Sequence, residues 1–211
     1  MYMKIHPSLL AADLSNIQKE VASVIHKNTK SLHFDIGDNQ FVPSYMLREE
    51  LLKKIPQDVP IDAHLMVKYP SKYIPNILKY TQIQSIAFHI EIPEDIRSNI
   101  IKIHESGREV GLAILPSTPS NYLDQYLLEI DYILIMTVMW GFSGTPFIPE
   151  MLEKIKEIHQ KAPEITIIVD GGITLETATL CAKMGVTEAV IWSALFWQKD
   201  RKDYLEKLSK I

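Results

Sequence analysis

"LHFDIGD", residues Leu32–Asp38, decides how the chain is read. A strand buried on both faces has no use for a histidine and an aspartate two residues apart. Side chains alternate along a strand, so His33 and Asp35 share one face and Phe34 takes the other. Both polar residues are accounted for if that face looks into the mouth of a closed barrel. There the C-terminal ends of the strands carry the active site.

Short apolar, β-branched runs alternate with segments of helical period along the rest of the chain. Strands are predicted near Ile5–Leu9, Ser31–Ile36, Ile61–Met66, Ser85–His89, Glu109–Ile114, Tyr132–Met136, Thr166–Val169 and Ala189–Ile191. Helices are predicted near Leu14–Lys27, Leu47–Lys54, Tyr73–Lys79, Ile96–Ser106, Tyr122–Glu129, Pro149–Lys161, Leu175–Met184 and Tyr204–Ser209. "SNIQKE" and "TLETAT" offer hydroxyl caps at helix starts, and Gly107 and Gly185 mark helix stops. No Pro/Gly/Ser-rich linker divides the 211 residues. The expectation is therefore one domain over residues 1–211, an α/β fold of the (β/α)8 TIM-barrel type. A doubly wound open sheet also alternates, but no G-x-G-x-x-G follows the first strand.

Several apolar strands end in polar residues that packing does not need: Ser8, His33 with Asp35, His64 in "IDAHLM", His89 in "SIAFH", and Asp170 in "ITIIVD". Two histidines and two carboxylates converging at a barrel mouth match the ligand types of a zinc, iron or manganese site. His33, Asp35, His64 and Asp170 are thus candidate metal ligands. A second-shell hydrogen bond or plain packing suits His89 better than ligation, and His6, His26, His104 and His159 lack such company. The glycine-bearing loops "WGFSGTPF" (Trp140–Phe147) and "DGGI" (Asp170–Ile173) offer backbone N–H groups for a phosphate.

Composition narrows the classes. A hydrophobic share of 46%, a charged share of 23% and a net charge of −4 describe an ordinary globular chain and argue against a nucleic-acid partner. Cys181 is the one cysteine, which excludes a disulfide framework and a thiolate zinc site; in "TLCAKMG" it reads as helix packing. "MYMKIHPSLL" turns polar too soon for a signal peptide, and no apolar run is long enough to span a bilayer. A cytoplasmic location and no membrane partner are expected. Apolar helix faces can pack within the barrel or between subunits, which leaves a homo-oligomer open.

The motifs "HPSLLAADLSN", "LHFDIGDNQFVPS", "DAHLM", "ILPSTP", "ILIMTV", "GFSGTPFIPEMLEKI", "VDGGI" and "SALF", in this order, resemble the ribulose-phosphate 3-epimerase family over essentially the whole chain. The resemblance implies a (β/α)8 barrel of the ribulose-phosphate-binding kind with one divalent metal (Zn, Fe(II), Mn or Co) and no organic cofactor. It implies an isomerase that inverts carbon 3 of a ketose phosphate: ribulose 5-phosphate and xylulose 5-phosphate, or a ketohexose 6-phosphate such as allulose 6-phosphate. His33, Asp35, His64 and Asp170 are then the metal ligands, and Asp35 and Asp170 the two acid/base groups. Ser8 and His64 are expected at the sugar; Gly141, Phe142, Ser143, Gly144, Gly171, Gly172, Trp192 and Ser193 at the phosphate end; Met66 and Met136 as walls beside the reacting carbons.

The chain departs from that family at telling positions. Typical members carry methionine where Gly37 stands, so one apolar wall is expected to be missing. They read "NPGFGGQ" where this chain has Met139, Trp140, Ser143 and Thr145, and "GSA" where it has Trp192-Ser193-Ala194. Either Trp192 packs against the last helix, or Met139, Trp140 and Trp192 together reshape the phosphate end and alter the substrate. Two other functions compete: a non-catalytic sugar-phosphate binder, and another ribulose-phosphate-binding barrel enzyme such as a decarboxylase or aldolase. The latter calls for a lysine–aspartate array that the strand ends lack.

Overall fold

The β-branched runs assemble into eight parallel strands in a computed structural model that describes residues 2–44, 46–139 and 145–211. These are β1 (Lys4–Pro7), β2 (Leu32–Gly37), β3 (Ile61–Met66), β4 (Ile83–His89), β5 (Glu109–Ile114), β6 (Tyr132–Met136), β7 (Thr166–Asp170) and β8 (Glu188–Ile191). Their order is β1-β8-β7-β6-β5-β4-β3-β2, and parallel bridges Ile5–Thr29 and Ser8–His33 bring β1 to β2. The sheet thus curls into a nearly closed barrel, the predicted architecture, with no G-x-G-x-x-G crevice of an open sheet.

Helices α1 (Ile17–Val24), α2 (Ile74–Ile77), α3 (Ile96–Glu105), α4 (Met151–Lys161), α5 (Leu175–Lys183), α6 (Ser193–Phe196) and α7 (Arg201–Leu208) lie between and after the strands. The outward strand residues, Phe34, Leu65, Phe88 and Ile133 among them, pack with Val21, Ile100, Ile155 and Leu205 of the helices into the main core. Each such buried side chain contributes roughly 1.5–3 kcal/mol of transfer free energy. Alternation sends the next residues inward, where Ala87, Ala113, Tyr132, Leu134, Ile168 and Val190 form a second, smaller cluster. Cys181 is fully buried on α5, and burial pushes its thiol up to about 12, as helix packing requires.

Two predicted helices take another form. Residues 47–54 contain only a 3-10 helix over Glu49–Lys54, because the Leu47 N–H is taken by the Asp35 carbonyl and the segment starts as an extension tied to β2. Residues 122–129 follow a short 3-10 helix (Ser120–Leu123) with turns whose N–H groups bond three residues back, as in Tyr126 to Leu123 and Glu129 to Tyr126. Leu123 of this segment is buried, while Leu128 is fully exposed. The short α6 after β8 was not predicted; "SALF" has too few residues for a period to show.

At the N-terminal end of the barrel, Glu188 is 2% exposed and is answered by His6 at 2.9 Å, Lys30 at 3.1 Å and Lys4 at 3.3 Å. Burial pushes its carboxyl up, but His6 and Lys30 outweigh burial and bring it down to about 2. A folded-state value depressed below the unfolded one contributes stability that is complete above the unfolded pKa and lost as pH falls through the folded one. Glu188→Gln should therefore cost about 2–3 kcal/mol near neutral pH, and the deficit should shrink between about pH 5 and pH 2. Urea unfolding of both proteins across that range checks it; a pH-independent deficit would contradict the ion-pair account.

Candidate active site

Four side chains meet at the C-terminal mouth. His33 and Asp35 come from β2, His64 from β3 and Asp170 from the last position of β7. Register sets Asp35 beside His64, and alternation turns Asp35 inward with His33 while Phe34 enters the outer core. One donor atom from each of the four lies within 4.8 Å of the others. Asp35 Oδ1 is 3.2 Å from both His33 Nε2 and His64 Nδ1, and Asp170 Oδ2 is 3.8 Å from each. All four are buried.

The electrostatics of the cluster are uneven. Burial alone raises the Asp35 carboxyl, but the adjacent His33 and His64 outweigh it and hold the group well below the usual carboxylate range. Ser8 Oγ also donates to Asp35 Oδ2 at 2.6 Å. Burial, opposed by His33 and reinforced by Asp35 and Asp62, carries Asp170 up to about 7. Burial takes His64 down to about 4. For His33, Asp35 and Asp62 outweigh burial and hold the imidazole well above its ordinary value. The pocket thus draws positive charge to one spot.

Three observations fit a divalent cation there. The donors are imidazole and carboxylate, the set that zinc, iron(II), manganese and cobalt share. Their spacing closes on a common point. Among the described residues His33 Nε2 is buried without a hydrogen-bond partner, a cost of about 1–3 kcal/mol that a bound cation would remove.

Met66 and Met136, each 3% exposed, flank Asp35 and Asp170 together with Leu10 and Trp192, and these six residues leave about 10 Å³ free. The space beside Gly37 is taken by other groups. A Cβ at Gly37 would come 2.6 Å from Met46 Cγ, so a methionine from the following loop occupies the place.

The loop after β7 needs its glycines. Gly171 (φ +113°) and Gly172 (φ +64°) lie in the left-handed region, and a Cβ on Gly172 would meet the Phe147 backbone N at 2.5 Å. Thr137 Oγ1 donates to the Asp170 and Gly171 carbonyls and pins this turn to the end of β6. Gly172, Thr174, Thr177 and Ser193 line a cavity of about 350 Å³. Trp192, 6% exposed, borders both this cavity and the small space over Asp35 and Asp170. It stands between them, neither free in solvent nor confined to the last helix. Met139 is 39% exposed; Trp140, Gly141, Phe142, Ser143 and Gly144 lie outside the described residues.

His89 sits behind His64, their Nε2 atoms 3.0 Å apart, with Glu91 at 3.2 Å from its other nitrogen. The remaining histidines are elsewhere: His6 binds Ser31 and Glu188, His26 pairs with Glu206 and His104 with Asp131. Sequence reasoning missed Asp62, Ser85 and Tyr132, which lie under the cluster. Asp62 carried the same signal as Asp35, a carboxylate two residues from a histidine on one strand.

Fold and cluster together define a (β/α)8-barrel enzyme with its polar centre at the C-terminal mouth. Residues 4–196 match the ribulose-phosphate 3 epimerase family. Ribulose-phosphate 3-epimerase of Escherichia coli K12 is 33% identical over 97% of this chain and 93% of its own length. The Bacillus subtilis 168 enzyme of that name is 32% identical over 98% of both chains. The chain belongs to the ribulose-phosphate 3-epimerase family, whose members are isomerases acting on carbohydrates. Tryptophan synthase α-subunits of Pyrococcus furiosus superpose at TM-scores of 0.70 and 0.73 with 16% identity over the whole chain, a likeness of fold alone.

The Gly172 turn yields a direct test. Gly172→Ala should cost about 1–3 kcal/mol, because the new Cβ meets backbone in a left-handed conformation. Thermal unfolding measures it, and a variant as stable as the parent would show that Phe147 yields freely.

Proposed function

We propose that the chain epimerises carbon 3 of a ketose phosphate, ribulose 5-phosphate or a near relative, with Asp35 and Asp170 as its two acid/base groups. What carries the reading is that two carboxylates, from β2 and β7, share one buried mouth with two histidines. The C3 proton lies next to the C2 carbonyl and is far too weakly acidic for a carboxylate unaided. A divalent cation held by His33, Asp35, His64 and Asp170 would supply Lewis-acid stabilisation of the negative charge that develops on the substrate oxygens.

The chain's own residues do the rest. Asp35, anchored by Ser8, and Asp170 are the two acid/base groups, one taking the C3 proton and the other returning a proton from the opposite face. Inversion needs two such groups on opposite faces of the planar cis-enediolate, and β2 and β7 come from different sides of the mouth. For the reverse reaction the roles exchange. Met66, Met136 and Met46 keep the wall apolar and short of water, which strengthens charge interactions inside. Ser8 and His64 adjoin the sugar, and Gly171, Gly172 and Ser193, with the segment Gly141 to Gly144, receive the phosphate. The residues form one domain, and no nucleic-acid or organic-cofactor site enters the scheme. Among the described residues no helix is long and apolar enough to cross a membrane.

Deuterium incorporation at C3, followed by NMR over a panel of tetrulose, pentulose and hexulose phosphates, tests the function. Exchange with appearance of the new epimer is expected. Asp35→Asn and Asp170→Asn should each lower turnover by about 10²–10⁴-fold in a folded protein. Full activity in either variant would refute the two-carboxylate assignment, and metal binding with no exchange on any member would favour the non-catalytic binder. Trp192→Gly should raise activity on pentulose 5-phosphates by joining the phosphate cavity to the space over the carboxylates; unchanged activity would return Trp192 to packing alone.

A further inference from the structure

Beneath the four converging residues lies a buried polar network that the proposed chemistry does not use. Asp62 is fully buried on β3, two residues before His64. Its Oδ1 accepts the Tyr132 and Ser85 hydroxyls, each at 2.6 Å, and its Oδ2 lies 2.9 Å from His33 Nδ1. Tyr132 reaches that carboxylate only because its strand neighbour is Gly111: a Cβ there would come 2.3 Å from the phenol ring. Behind the second histidine a different chain runs outward. His64 Nε2 is 3.0 Å from His89 Nε2, and His89 Nδ1 is 3.2 Å from Glu91 Oε2. Glu91 Oε1 in turn accepts the Leu115 N–H at 2.9 Å.

With a cation at the centre, in the place of the hydrogen that His64 Nδ1 would otherwise give Asp35 Oδ1 at 3.2 Å, donor and acceptor bookkeeping leaves one solution for neutral rings. An ionised carboxylate only accepts, so the nitrogen facing Asp62 must carry the hydrogen: His33 is protonated on Nδ1 and offers its Nε2 lone pair to the centre. Glu91 likewise requires the hydrogen of His89 on Nδ1. His89 Nε2 is then an acceptor, and His64 must donate to it from Nε2, which leaves the His64 Nδ1 lone pair facing Asp35 and Asp170. The two nitrogens so freed are the two that converge on the carboxylates.

We infer that Asp62 and Glu91 are positioning residues that set the two ligand histidines in opposite tautomers, Asp62 directly and Glu91 through His89. His33 would then bind a cation through Nε2 and His64 through Nδ1. Carboxylates behind metal-ligating histidines orient the ring and raise its basicity, and their loss typically weakens metal binding 10–100-fold. Tyr132 and Ser85 matter because they occupy the other oxygen of Asp62 and so hold its remaining face toward His33. The inference rests on the metal reading of the site and names how this chain builds it.

Zinc-loaded protein labelled with ¹⁵N-histidine provides the test, since protonated and metal-bound ring nitrogens have distinct shifts. His33 is expected with hydrogen on Nδ1 and zinc on Nε2, and His64 with the reverse. Asp62→Asn can present an amide N–H to His33 and favour the wrong tautomer; competition with a chromophoric chelator should show zinc held about 10–100-fold more weakly, with the metal-free variant still folded by circular dichroism. Should that variant fail to fold, Glu91→Ala at the barrel rim and Tyr132→Phe replace it, with the same direction of loss expected, smaller for Tyr132→Phe. Zinc held as tightly in folded variants as in the parent, or both rings bound through the same type of nitrogen, would overturn the inference while leaving the epimerase reading standing. A parent protein that binds no divalent ion would overturn both.

Discussion

Three carboxylate–imidazole pairs run up the inside of the barrel, and the rest of the structure depends on them: Glu188 with His6, Asp62 with His33, and Asp35 with His64. Each is almost wholly shielded from water. An unpaired ion in such a place costs several kcal/mol, and breaking one buried pair by removing a partner typically costs about 3–5 kcal/mol. Every pair but the lowest joins neighbouring strands β2 and β3, and the lowest joins neighbours β1 and β8. A slip of one residue in either register would turn a charge into the outer hydrocarbon layer and leave its partner alone inside. The polar interior therefore specifies strand register as strictly as the apolar exterior does. It also ends, at the top, in donors that converge on a single point.

That arrangement explains why the fold was legible in the sequence. A strand with alternating outward apolar and inward polar residues, as in "LHFDIG", belongs to a sheet with two different insides, and a closed barrel has both. The bounds of β3, β5 and β6 coincide with the predicted ones. Residues 122–129 misled because their apolar spacing imitates a helix: Leu123 is buried and Tyr126 and Leu127 pack against the core, but from 3-10 turns. The convergence of His33, Asp35, His64 and Asp170 could be anticipated, since each is a polar residue set in an otherwise apolar strand run. Asp62 was overlooked although it repeats the spacing of Asp35, because depth inside a barrel does not show in a sequence. Met46 was beyond reach for another reason. Filling the place beside Gly37 depends on how a loop folds back, and no local pattern encodes that.

The layer around the His/Asp cluster and the layer around the Gly171–Gly172 turn differ in how much freedom this chain leaves them. In the first, three of the four side chains are held from outside the cluster: Asp35 by Ser8, His33 by Asp62, His64 by His89. A substitution in that layer disturbs partners two or three groups away, as coupled polar networks do. The second layer is built from backbone turns and short side chains around an open cavity, with Gly171 and Gly172 as its constrained points. There a side chain can change size without stranding a charge. Trp192 sits on the boundary between the two layers, in contact with the tight space on one side and the open cavity on the other. A large indole at that boundary stands between the space over the carboxylates and the open cavity. On the proposed reading, chemistry and substrate reach are thus separable in this barrel. The ionic network holds the first in place, while the second is governed by what stands at the top of β8.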